Sequence, residues 1–210
     1  MIGIVDYGMG NLFSVSKAFE RLGAEYFISS DPKRLGEAAG IILPGVGAFK
    51  DAMAQLNELE LTDFLSAYAV SGKPLLGICL GMQLLFEDSE EFGLTEGLSL
   101  LPGCIRRFPG TDSEGVSYKV PHMGWNKLNY NVPSPLLEGI EESYVYFVHS
   151  FYAKTPVEVV NASASYGEEV PAVVSRNNIM GMQFHPEKSG ETGMALLQNF
   201  IKITESRVSV

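Results

Sequence analysis

Short runs of consecutive apolar residues, closed by glycine or proline, alternate through the first half of the chain with stretches whose apolar positions recur at helical spacing. Residues 2–6 are the first such run, ending in the glycine-rich Tyr7-Gly8-Met9-Gly10. Asn11 then stands where a helix N-cap is expected, and Leu12, Val15, Phe19 and Leu22 share one face before Gly23 stops the helix. Tyr26-Phe27-Ile28 predicts a second strand. Gly40-Ile41-Ile42-Leu43 predicts a buried third strand ending in Pro44-Gly45-Val46-Gly47, with helical segments following to about Val70. Gly72-Lys73-Pro74 breaks the chain ahead of the apolar run 75–78. Strands alternating with helices predict an α/β fold: an open, mostly parallel, twisted sheet with helices on both faces.

From about Gly97 the pattern changes to short strands with turn signals, including 144–152, 172–175 and 179–184, so the second half is expected to be more β-rich. A closing helix over 192–203 is expected to bury Ala195, Leu196, Asn199 and Phe200 or their neighbours. Neither an internal repeat nor a Pro-, Gly- or Ser-rich linker divides the chain, and residues 1–210 read as one domain.

Composition narrows the function classes. With 46% hydrophobic and 19% charged residues the chain is of ordinary globular type, and a net charge of -10 gives no footprint for nucleic acid. The N-terminal run lacks a basic leader and no segment is long enough to span a bilayer, so a cytoplasmic protein is expected. Two cysteines and three scattered histidines supply neither a disulfide framework nor a metal cluster, and no cofactor is expected. Any cysteine-histidine chemistry has to draw on that short set.

Gly77-Ile78-Cys79-Leu80-Gly81 has the shape of a nucleophile elbow, lying between a buried strand and the segment 82–86, which reads as amphipathic. The flanking glycines permit close passage of neighbouring chain, and a helix starting there favours a thiolate and offers the Leu80 N–H to an oxyanion. The plain alternative is a small apolar core cysteine. A thiol needs a positioned base, and His122, His149 and His185 are the candidates. His185-Pro186-Glu187 stands out, because in an extended segment alternate residues share a side and Glu187 could orient the imidazole. Pro44-Gly45-Val46-Gly47 also closes a strand, and its flexible backbone could complete an oxyanion hole or be a simple turn.

These residues resemble the class I, or triad, glutamine amidotransferases, most strongly at PGVG from Pro44, GICLGMQ from Gly77 and GMQFHPEKS from Gly181. The resemblance runs over nearly the whole chain and implies that family's fold and a Cys79, His185, Glu187 triad. It implies that Cys79 attacks the glutamine carboxamide, that His185 protonates the departing ammonia, and that water releases glutamate from a thioester. It also implies an oxyanion site at Gly45, Val46, Gly47 and Leu80, and glutamine contacts from Gln83, Glu91, His149, Ser150 and Phe151.

Asp6-Tyr7-Gly8-Met9-Gly10-Asn11 and Pro121-His122-Met123-Gly124-Trp125-Asn126 are similar to the family's glutaminase subunits that pair with a (β/α)8-barrel cyclase in histidine biosynthesis. That likeness implies a heterodimer in which Asn11, His122, Met123, Trp125, Asn126 and Lys188 lie at the partner, with ammonia channelled between the two sites. A tryptophan beside polar neighbours suits a docking surface, against the alternative of a core tryptophan. Two competing functions stay open on the residues alone: a cysteine hydrolase or peptidase acting by itself, and a non-catalytic binding module on the same fold.

Overall fold

The computed structural model describes residues 1–208, with side chains through 206. The alternating pattern of the first half becomes β1 (Ile2–Val5), α1 (Leu12–Arg21), β2 (Tyr26–Ser29), α2 (Pro32–Gly36), β3 (Gly40–Gly45), α3 (Phe49–Glu58), α4 (Leu61–Val70) and β4 (Leu75–Cys79). Asn11 caps α1 by accepting from the Ser14 N–H, and Gly23 takes the left-handed conformation that lets the chain leave it.

Beyond β4 come the four-residue α5 (Leu80–Gln83) and the strands β5 (Asp88–Ser89), β6 (Thr95–Glu96), β7 (Cys104–Arg107), β8 (His122–Lys127) and β9 (Asn129–Tyr130). The chain closes with β10 (Tyr144–His149), β11 (Phe151–Lys154), β12 (Val160–Ser165), β13 (Glu169–Arg176), β14 (Ile179–Met182) and α6 (Gly190–Val208).

Among the described residues one eight-stranded sheet runs β2-β1-β3-β4-β14-β13-β12-β9. The first five strands in that order are parallel and the rest antiparallel, so the β-rich second half extends one sheet. Alternate strand residues feed opposite faces, as a two-residue period requires. Ile41, Leu43 and Leu75 pack with Leu35, Leu56 and Leu65 of α2 to α4, whereas Ile42, Leu76 and Ile78 pack with Phe19 of α1 and Leu196 and Phe200 of α6. Burying one such leucine or phenylalanine is worth about 1.5–3 kcal/mol over leaving it in water.

Three expectations change here. Residues 82–86 are buried throughout and not amphipathic, because α5 packs on β3, β4 and β14 and the segment 98–101 hydrogen-bonds to the carbonyls of Leu84, Leu85 and Phe86. The run 144–152 is two strands: β10 pairs with β8, β11 pairs with β7 in a different sheet, and Ser150 is the crossover. Ala195 is only partly buried, and Leu197 takes the core position beside Leu196.

Candidate active site

The end of β4 sits at the centre of the sheet, where open α/β folds place their ligands. Its last residue, Cys79, has φ 56° and ψ -114°, a region that a side-chain-bearing residue occupies at a cost of about 1–3 kcal/mol. The turn is possible only because its flanks are bare. A Cβ on Gly81 would overlap the Leu43 carbonyl oxygen, and one on Gly77 would lie 2.7 Å from the Met82 Cα. Gly45, paired with Cys79 across the β3–β4 ladder, would meet the Gly81 nitrogen at 2.7 Å.

The strand on the other side of β4 is β14, whose register places Met182 beside Ile78 and so carries the chain to His185 at the same edge. His185 Nδ1 lies 2.8 Å from Glu187 Oε1, both side chains being almost wholly buried. The residues pair through a tight turn at Pro186–Lys188 and not through the extended backbone expected from the sequence. Ser189, which the sequence reading missed, holds that turn: its hydroxyl donates to the His185 carbonyl at 2.7 Å and accepts from the Tyr146 N–H at 2.9 Å. The only sequence signal for it was a serine directly after the turn. Burial works against a charged His185 and is the largest single influence. Hydrogen bonds with Cys79 and Glu187 and their negative charges together outweigh it, raising the imidazolium to about 10.

A cleft of about 350 Å³ opens over these groups and is lined by Val46, Gly47, Cys79, Leu80, Gln83, Glu91, Pro121, Val148, His149, Ser150, Phe151 and His185. Every residue expected at the glutamine is therefore in its wall, and of the four expected at the oxyanion only Gly45 is not. Glu91 Oε2 accepts from the Phe49 N–H at 2.7 Å, which ties the loop after β5 to the start of α3. Leu80 is the first helical residue, a position whose N–H has no intrahelical acceptor. The Val46 N–H donates to the Met9 carbonyl at 2.7 Å and is already engaged as the chain stands. The glycine-rich loop after β1 supplied a competing acceptor that local sequence could not show.

The docking stretch also divides. β8 alternates, so Met123 and Trp125 are exposed, the latter at 57%, while His122 is buried at 2% and Asn126 is half-buried, donating to the Ser165 carbonyl. This corrects His122 as a surface contact and excludes a core tryptophan. Asn11 and Lys188 are respectively half-buried and exposed.

Burial lowers His122 from 6.5 to about 4 and His149 to about 3, opposite in sign to His185. Stability from the two neutral rings is complete above pH 6.5 and is lost as pH falls through those values. Stability from charged His185 is complete below pH 6.5 and is lost as pH rises through about 10. Thermal denaturation followed across pH should thus give a maximum near pH 6.5 that declines on both sides. A profile still rising above pH 8 would contradict the His185 assignment.

The family model for "Glutamine amidotransferase class-I" matches residues 4–203. The chain is 61% identical to the imidazole glycerol phosphate synthase subunit HisH of Geobacillus sp. (strain WCH70), covering 100% of both chains. It is 58% identical to the protein of the same name from Geobacillus thermodenitrificans (strain NG80-2), over 99% of this chain and 98% of that one. A solved structure described as that of a glutamine amidotransferase superposes with a TM-score of 0.74 at 20% identity, over 97% of this chain and 98% of that chain.

Proposed function

The chain belongs to the class-I glutamine amidotransferases, and from that premise we propose that it is the glutaminase subunit of imidazole glycerol phosphate synthase, in histidine biosynthesis. The observation that carries the reading is the buried Cys79, His185, Glu187 constellation opening on a cleft of glutamine size, in a chain so similar to those subunits. Residues 1–210 serve as one glutaminase domain, and the free thiols Cys79 and Cys104 suit a reducing cytoplasm.

In this reading the Cys79 sulfur attacks the carboxamide carbon of L-glutamine, and the carbonyl electrons move to oxygen. The Leu80 N–H and the Gly45-Val46-Gly47 segment receive that charge, which for Val46 requires giving up its bond to Met9. Protonated His185, oriented by Glu187, gives its proton to nitrogen as the C–N bond breaks and ammonia leaves. Water, deprotonated by the same ring, then opens the thioester and releases glutamate. No cofactor or metal enters these steps.

The partner is the cyclase subunit, a (β/α)8 barrel, in a heterodimer. It consumes the ammonia to form imidazole glycerol phosphate and aminoimidazole carboxamide ribonucleotide. Channelling keeps the ammonia from being protonated in solvent. The exposed side chains Met123 and Trp125, together with Lys188 and Asn11, are the proposed docking residues. Glutamate release from glutamine, measured for this chain alone and with the cyclase and its nucleotide ligand, tests the reading. Turnover that needs Cys79 and rises with the partner is expected, whereas turnover indifferent to the partner would remove the coupling.

Trp125→Ala should weaken association by at least about 30-fold in Kd, the scale of an interface hot spot, with the melting temperature unchanged because the ring is exposed. Titration calorimetry with the cyclase subunit reads it directly; an unaltered Kd would move the interface elsewhere.

A further inference from the structure

The buried polar groups that the chemistry leaves unused converge on one atom, the carbonyl oxygen of Phe151 in the cleft wall. It accepts from Gln83 Nε2 at 2.9 Å and lies 2.8 Å from His149 Nδ1. A carbonyl can only accept, so His149 carries its proton on Nδ1 and, when neutral, offers Nε2 as an acceptor. That atom lies 3.0 Å from His122 Nδ1, which must therefore be the protonated nitrogen of the second ring. His122 Nε2 is left to accept from Asn126 Nδ2 at 3.4 Å, and Asn126 gives another amide proton to the Ser165 carbonyl at 2.9 Å. One carbonyl thus sets the direction of every bond in the series.

The other arm fixes Gln83. Its second amide hydrogen goes to Gln183 Oε1 at 3.0 Å. With both hydrogens engaged, the only part of that amide left for the cleft is the acceptor Oε1. The side chain is consequently set to receive a nitrogen-borne donor, and the setting lasts only while Phe151 stays in place. A second proton on either imidazole would set N–H against N–H at 3.0 Å. Burial keeps both rings neutral. Stacking on Phe147 and Tyr166 holds the His122 ring in position.

We propose that His122, as the neutral Nδ1-protonated tautomer, is a positioning residue for glutamine. Through His149 it holds the Phe151 carbonyl, and so the acceptor that Gln83 presents to the substrate. The inference rests on the glutaminase reading, and its test separates the two. The test measures labelling of Cys79 by the chloroketone analogue of glutamine, which must first occupy the cleft, and by iodoacetamide, which need not.

His122→Phe keeps the ring and its stacking but lacks the donor, and should raise the chloroketone concentration for half-maximal labelling about tenfold, the scale of one lost hydrogen bond. His122→Asn returns an amide N–H to the place of Nδ1 and should restore the value to within about twofold. The iodoacetamide rate should be the same in all three proteins. If His122→Phe does not fold, His122→Gln takes its place, since its longer side chain sets the amide where Nε2 lies and does not supply the donor. Equal labelling by the Asn variant and the Phe or Gln variant, whether both weak or both normal, overturns the positioning role. A wild-type chain whose chloroketone labelling does not saturate overturns the glutamine-site reading instead.

Discussion

Cys79→Ala is expected to lower kcat/KM for glutamine by about four to six orders of magnitude, as removal of a nucleophile does in hydrolases of this logic. The fold should survive, because the change removes one sulfur from a site that is already tightly enclosed and leaves the backbone to the same glycines. Three further expectations attach to this position. His185 loses a hydrogen bond and a negative charge that help hold its proton, so its titration, followed by NMR, should move down from about 10. Cys79→Gly should be more stable than Cys79→Ala by about 1 kcal/mol, since glycine alone enters φ 56° without strain. With the proposed cyclase partner present, the ammonium-dependent reaction should continue. Residual glutamine turnover within a hundredfold of the parent would place the nucleophile elsewhere.

Gly81→Ala is expected to be the most damaging single-methyl change in the molecule, at more than about 4 kcal/mol. The added carbon would overlap the Leu43 carbonyl, which is a ladder atom of β3 and cannot rotate aside as a side chain could. Gly36→Ala is the control. There the nearest atom is Phe64 Cε2 at 3.8 Å and the residue is helical, so the same methyl should be neutral or stabilising by up to about 1 kcal/mol. Urea denaturation of the two variants measures the contrast. A Gly81→Ala midpoint close to the parent's would mean that the elbow has room to open.

The sequence was most readable where structure depends on neighbours in the chain. Asn11 capping α1, Gly23 ending it and the glycines around Cys79 follow from local geometry, and each is visible as a residue type at a fixed offset. What lay outside its reach depends on pairing at a distance. Val46 looked available until β1's loop brought the Met9 carbonyl against it. His122 looked exposed because its segment contains Met123 and Trp125. The register with β10, which sets His122 opposite His149, turns alternate side chains inward. Residues 144–152 read as one strand because both halves are apolar and alternating, and only their separate partners, β8 and β7, reveal the break at Ser150. Glu187 was found for the wrong backbone reason: a turn, not an extended pair, brings it to His185.

The position of β14 also bears on how the molecule comes into being. It is the strand between β4 and β13, yet it is made long after β4; Gln83 and Gln183, bonded across that seam, are 100 positions apart. The middle of the sheet is therefore the last part that a growing chain can close, and until then β4 has an open edge on that side. Such late, distant pairing makes for slow folding and leaves an apolar edge to be guarded during synthesis. It also means that a chain ending before β14 carries Cys79 without His185, and in the proposed mechanism such a copy lacks the group that protonates the departing ammonia.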